Sequence, residues 1–127
     1  MPHLRIEVSA ELAAALDWKQ LAHDIHLDLA AAKWAALDDL KTRVLVCADA
    51  LAGQDHGAQQ LVATLIITNP RPPDMQRAMT ERVMAHLEGA VRALQPVHWV
   101  QCCVFMQATR RDDYAKWQWN APVSPSP

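Results

Sequence analysis

The chain has 127 residues, enough for one domain around a single core and too few for two independent cores. Hydrophobic residues make up 51% and charged residues 20%, a globular composition, and the formal net charge of -2 excludes the broad positive field of a nucleic-acid binder. The longest apolar runs, such as residues 61–67, fall far short of the roughly 20 residues of a membrane span, Arg5 and Glu7 interrupt any signal-peptide core, and three cysteines without a C-x-x-C pair point to reduced thiols in the cytoplasm.

Residues 3–8 (HLRIEV) alternate polar and apolar side chains, with Leu4, Ile6 and Val8 on one face, which predicts a strand broken by Ser9. Asp17 with Gln20 three residues on reads as a helix cap, and Trp18, Leu21, Ile25 and Leu29 then recur at helical spacing, which predicts a helix from about residue 18 to about residue 32. Residues 41–48 (KTRVLVCA) and 60–68 are rich in β-branched and apolar residues and read as two strands separated by a loop around Gly53 and Gly57, the second of them buried on both faces.

Pro70, Pro72 and Pro73 punctuate the chain, and Pro73 with Asp74 makes a first turn for a helix carrying Met75, Met79, Val83, Leu87, Val91 and Leu94 on one stripe, ended by Pro96. Residues 97–107 read as a long last strand, residues 110–120 as a polar arm bearing Trp117 and Trp119, and residues 121–127 as a disordered C-terminal tail after a single domain over residues 1–120.

The order is β-α-β-β-α-β. Each crossover helix makes its flanking strands parallel, which gives an α+β fold with a four-stranded mixed sheet and two helices on one face. The other face is left bare, and apolar residues on both alternating sets of the middle strands predict that it is covered by oligomerisation.

No Gly-rich phosphate loop, G-x-S-x-G or H-E-x-x-H occurs, so the common nucleotide, hydrolase and zinc sites lack their parts. His23 and His26 stand three apart on the first helix without a third metal ligand nearby. Cys102 and Cys103 point to opposite faces of the last strand and read as packing thiols. The unusual feature is Pro2. A small residue after Met1 favours Met1 removal, which leaves a secondary amine at the head of a strand. An α-amino group titrates at about 8, and an apolar pocket or a neighbouring cation lowers that further, making it a base at physiological pH. By itself, a second-position proline reads first as a tolerated N-terminal residue, and Pro2 needs support from elsewhere in the sequence.

The opening MPHLRIEVSAEL resembles the start of 5-carboxymethyl-2-hydroxymuconate isomerases, in which M-P-H precedes an apolar strand ending in E-x-S. TLIITNPR (residues 64–71) is similar to that family's third strand and Arg-bearing turn, AKWQWN (residues 115–120) to its Lys-Gln-Asn C-terminal segment, and KTRV (residues 41–44) to an arginine-containing second strand. The resemblance implies a tautomerase-superfamily fold, a homotrimer of β-α-β repeats, and cofactor-independent proton transfer in a carboxylated enol or 2-oxo acid of aromatic catabolism, with no metal. It implies Pro2 as general base and Arg71, with Lys41 or Arg43, as the groups holding substrate carboxylates.

Two positions depart from the family pattern. Lys41 stands where an ungapped alignment places an arginine, with Arg43 two residues on along the same face, and a lysine offers a point charge in place of a planar fork. TNPRPP replaces a Gly-rich turn at the carboxylate end of the pocket. Arg71 itself reads either as a carboxylate clamp or as a solvated arginine in a Pro-rich turn. Trp117 and Trp119 either wall the pocket or pack on a neighbouring subunit. The alternatives to this enzyme are a tautomerase with a different 2-oxo acid substrate and a non-catalytic oligomeric binding protein on the same scaffold.

Overall fold

The computed structural model describes residues 2–120. The expected disordered tail, residues 121–127, lies outside the described residues. Strand β1 (His3–Ser9) is followed by a short helix α1 (Ala10–Ala15), helix α2 (Trp18–Ala31), strand β2 (Lys41–Cys47), strand β3 (Gln59–Ile67), helix α3 (Pro73–Leu94) and strand β4 (Val100–Ala108). Single 3₁₀ turns occupy Leu37–Asp39 and Arg111–Asp113.

The strands form one sheet in the order β2-β1-β3-β4. β1 runs parallel to β2 and antiparallel to β3, and β3 runs parallel to β4. This is the mixed α+β sheet expected from two β-α-β units. Leu4, Ile6 and Val8 of β1 and Leu61, Ala63, Leu65 and Ile67 of β3 are buried with Ile25 and Leu29 of α2 and Met79, Val83 and Leu87 of α3. One alternating set of each central strand thus meets the apolar stripes of both helices, the period-2 and period-3.6 patterns converging on a single core.

Local chemistry accounts for the helix ends. Asp17 accepts a hydrogen bond from the backbone N–H of Gln20 at 3.1 Å, satisfying one of the orphan donors of the first turn of α2. Pro73 opens α3, where its missing N–H is no loss, and Gln95 closes it in the left-handed conformation at φ 49°.

Two elements differ from the expectation. The short α1 follows β1 at once, because Ala-rich residues 10–15 have high helix propensity even without an apolar stripe. The last strand begins at Val100, not at residue 97. Val97 is 96% exposed, and the two residues after it serve the loop before β3. The His98 ring lies so close over Gly57 that a Cβ there would stand 2.6 Å from it, and Trp99 donates Nε1–H to Asp55 at 2.7 Å.

The face of the sheet away from the helices carries His3, Arg5 and Glu7 of β1, Lys41, Arg43 and Leu45 of β2, Val62, Thr64 and Ile66 of β3, and Cys103 and Phe105 of β4. Thr64 is buried at the centre, Val62 and Ile66 are half-buried, and Leu45 and Phe105 are exposed. The third strand is therefore buried fully on its helix side and in part on the other. All three cysteines are free thiols, and among the described residues no helix is long and apolar enough to cross a membrane.

Candidate functional site at the head of the first strand

The register gathers four chain segments at one end of the sheet. β1 and β2 begin there, with His3 opposite Lys41, and β3 and β4 finish there, with His3 opposite Ile66 and Ile67 opposite Ala108. The turn carrying Arg71 and the arm after β4 therefore leave the sheet at the same end as Pro2.

Pro2 is buried. Its carbonyl accepts a hydrogen bond from the backbone N–H of Lys41 at 3.3 Å, which continues the β1–β2 ladder one step beyond His3. Its ring falls on the core side with Leu4, whereas His3 turns to the bare face. A cleft of about 500 Å³ opens beside this strand head, lined by His3, Asp38 and Lys41 and, from the C-terminal arm, Tyr114, Lys116 and Trp117. Pro2 does not itself line the cleft; its neighbour His3 does.

Lys41 directs its Nζ at the carbonyl oxygens of Asp38 (3.1 Å) and Asp39 (3.4 Å), tying off the 3₁₀ turn that precedes β2. Arg43 reaches back across the parallel pair and places Nη1 3.0 Å from Nδ1 of His3. Burial pushes the imidazole of His3 below its usual range, and the charges of Arg43, Lys41, the chain's amino terminus and Lys116 push the same way. Two ammonium groups and a neutral imidazole against the single carboxylate of Asp38 make this a cleft for anions.

Arg71 is held apart from this cleft. Its guanidinium donates Nη2–H to the carbonyl of Trp34 at 2.9 Å and Nη1–H to the carbonyl of Asn69 at 3.2 Å, and it borders a separate hollow of about 250 Å³ with Asn69, Gln76 and Thr109. Burial lowers its pKa, although a guanidinium stays protonated throughout the physiological range. The structure thus brings Lys41 and Arg43 together beside Pro2 and leaves Arg71 at the same end of the sheet with its donors turned to backbone carbonyls.

Trp117 walls the cleft within its own chain and meets Trp119 in a tilted pair with ring centroids 6.4 Å apart, both rings largely exposed. His3, Asp38, Tyr114 and Lys116 belong to the cleft and were not singled out by the sequence. The first was present in M-P-H and the last in AKWQWN, but their common ground is set by strand pairing between residues far apart in the chain. His26 bonds Thr42 (Nε2 to Oγ1, 2.7 Å), and among the described residues no group of three or more His, Cys, Asp or Glu side chains is placed to hold a metal.

Solved structures share this architecture. A 5-carboxymethyl-2-hydroxymuconate isomerase from Deinococcus radiodurans R1 superimposes with a TM-score of 0.77 over 94% of this chain and 90% of that one, at 16% sequence identity. A 5-carboxymethyl-2-hydroxymuconate delta-isomerase gives 0.69 over 98% and 89%, also at 16% identity. The chain shares the fold of these two isomerases. A fused 4-OT, a symmetric trimer, shares the fold with a TM-score of 0.65 over 90% of each chain at 11% identity. No protein-family model matches the chain, and no curated protein matches it by sequence.

Proposed function

We propose that residues 1–120 form one cofactor-independent tautomerase domain, an isomerase that moves a proton within a carboxylated 2-hydroxymuconate-like enol or 2-oxo acid, with the amine of Pro2, freed by removal of Met1, as general base and then acid. The observation that carries this reading is the company Pro2 keeps: a buried proline heads the central strand beside a cleft that holds Lys41, Lys116 and a His3 whose pKa is lowered by burial and then by neighbouring positive charge. The burial and positive charge that lower the pKa of His3 act on a nearby amine in the same direction, favouring its neutral form with a free lone pair. The muconate isomerases among the solved neighbours support the choice of substrate class.

In this mechanism the amine takes the proton of the 2-hydroxyl group, a dienolate forms, and the amine returns the proton to a conjugated carbon. Lys41 and Lys116 hold the carboxylates and counter the charge that develops on the dienolate. Arg43 contributes through its positive charge and its grip on His3. Arg71, bonded to the Trp34 and Asn69 carbonyls beside a separate hollow, meets a carboxylate only by releasing them.

The bare sheet face, with Leu45 and Phe105 exposed beside Val62 and Ile66, fits burial against further copies. With the symmetric trimer found on the same fold, it supports a homotrimer.

A second reading is favoured by one contact pattern. Lys41 and Arg71 both spend donors on backbone carbonyls, as they would in a non-catalytic oligomeric binding protein. Ketonisation of 2-hydroxymuconate and phenylenolpyruvate, measured with wild type and Pro2→Ala, separates the two. Turnover lost in the variant supports the enzyme, and a processed wild-type protein without turnover supports the binding protein.

A further inference from the structure

The contact between Arg43 and His3 fixes more than a side-chain position. A guanidinium carries five donors and no acceptor, so Nη1 of Arg43 at 3.0 Å requires a lone pair on Nδ1 of His3. The neutral ring must then keep its proton on Nε2. Nδ1 is the nitrogen engaged within the protein; among the described residues Nε2 has no hydrogen-bond partner, and the ring lines the cleft. The groups facing it are Arg43, Lys41 and Lys116, all positive, with Asp38 as the carboxylate in the same cleft. A second proton on the ring would break the Arg43 contact and add a charge to this cluster.

We propose that His3, held by Arg43 as the Nε2–H tautomer, is a further catalytic residue that donates a hydrogen bond to the C2 oxygen of the substrate and stabilises the dienolate. The inference rests on the tautomerase reading of the Pro2 site. In the reaction the O–H bond of the enol breaks as the Pro2 amine takes the proton, and a C–H bond forms when the amine returns it. The Nε2–H bond of His3 stays intact throughout, so the proton count closes on Pro2 alone. A neutral donor is the appropriate partner, because it strengthens its bond as negative charge gathers on oxygen. It also does not offer the carboxylates a competing ion pair.

Two measurements on the full-length processed protein test this. The first is a long-range ¹H–¹⁵N spectrum of ¹⁵N-labelled protein at neutral pH, with His3 assigned by its loss in His3→Gln. The expected pattern is a bare Nδ1 and a protonated Nε2, shifting to a tautomer mixture in Arg43→Met. The second is ketonisation kinetics. His3→Leu is expected to lower kcat about 100-fold, the usual effect of removing one donor to a developing oxyanion, with KM little changed. His3→Gln, which retains an N–H donor, is expected to recover much of the loss. A protonated Nδ1, or a His3→Leu variant with wild-type kcat while Pro2→Ala is inactive, overturns the assignment. Full turnover by Pro2→Ala overturns the underlying reading and the role of His3 with it.

Discussion

The guanidinium of Arg71 reaches the carbonyl oxygen of Trp34 at 2.9 Å, joining the turn after β3 to the segment that leads from α2 into β2. A second donor of the same side chain holds the Asn69 carbonyl at 3.2 Å. The fork thus ties two connecting segments together at the end of the sheet where β1 begins, beside a hollow separate from the cleft at His3.

Arg71→Lys should loosen that tie, because a lysine lacks the planar fork by which two separate guanidinium nitrogens reach the Trp34 and Asn69 carbonyls. The expected cost is on the order of 1.5 kcal/mol, the low end for hydrogen bonds from a charged group. Chemical denaturation of the variant measures it. Wild-type stability combined with a large rise in KM would assign Arg71 to the substrate.

Leu87 lies fully buried on α3 in the core shared with α2 and the sheet. Leu87→Ala should destabilise the fold by about 2–5 kcal/mol, the range for deleting a buried leucine side chain, read as a lower urea midpoint with an unchanged slope.

Asp28 ties the two long helices together. Its carboxylate accepts from Nε2 of His86 and Nη1 of Arg82, each at 2.7 Å, and Arg82 also lies over the Trp34 ring at 5.5 Å. The hydrogen bond from His86, then the charge of Arg82, lowers the pKa of Asp28 against an opposing desolvation effect. A depressed carboxylate binds fewer protons in the folded than in the unfolded state. Its stabilisation is therefore present above the unfolded value of about 3.9 and is lost as pH falls through the lower folded value. Asp28→Asn should be less stable than wild type at pH 7 and converge with it in strong acid, which thermal melts across pH would record.

Lys41 and Lys116 face the same cleft. Each ammonium contributes on the order of 1 kcal/mol to holding a carboxylate in a wet site, so Lys41→Met and Lys116→Met should each raise KM for a dicarboxylate several-fold. The double variant should also lose most of the dependence of KM on ionic strength. An unchanged KM in both would remove them from substrate binding.

Much of the fold was legible because local and global patterns agree. Leu4, Ile6 and Val8 alternate as a half-buried strand must, the Asp17 cap and the Met79–Val83–Leu87 stripe mark helices at their true positions, and two β-α-β units leave few ways to pair four strands. What escaped was decided by tertiary contact. Residues 97–99 have strand-like side chains, yet His98 and Trp99 are claimed by Gly57 and Asp55. Lys41, Arg43 and Arg71 could be named from spacing and resemblance, but not which of them meet. That depends on the register of β1 with β2 and on the pull of the Trp34 carbonyl. His3 drew no attention because its meaning comes from Arg43, forty residues away.

The central claim is that the amine of Pro2 does the chemistry. Its most direct test is the ketonisation rate of phenylenolpyruvate by one preparation before and after selective N-terminal acylation, with intact mass confirming loss of Met1 beforehand and addition of a single acyl group afterwards. The account predicts turnover by the processed protein and its loss once the nitrogen becomes an amide. Equal rates before and after acylation would contradict it.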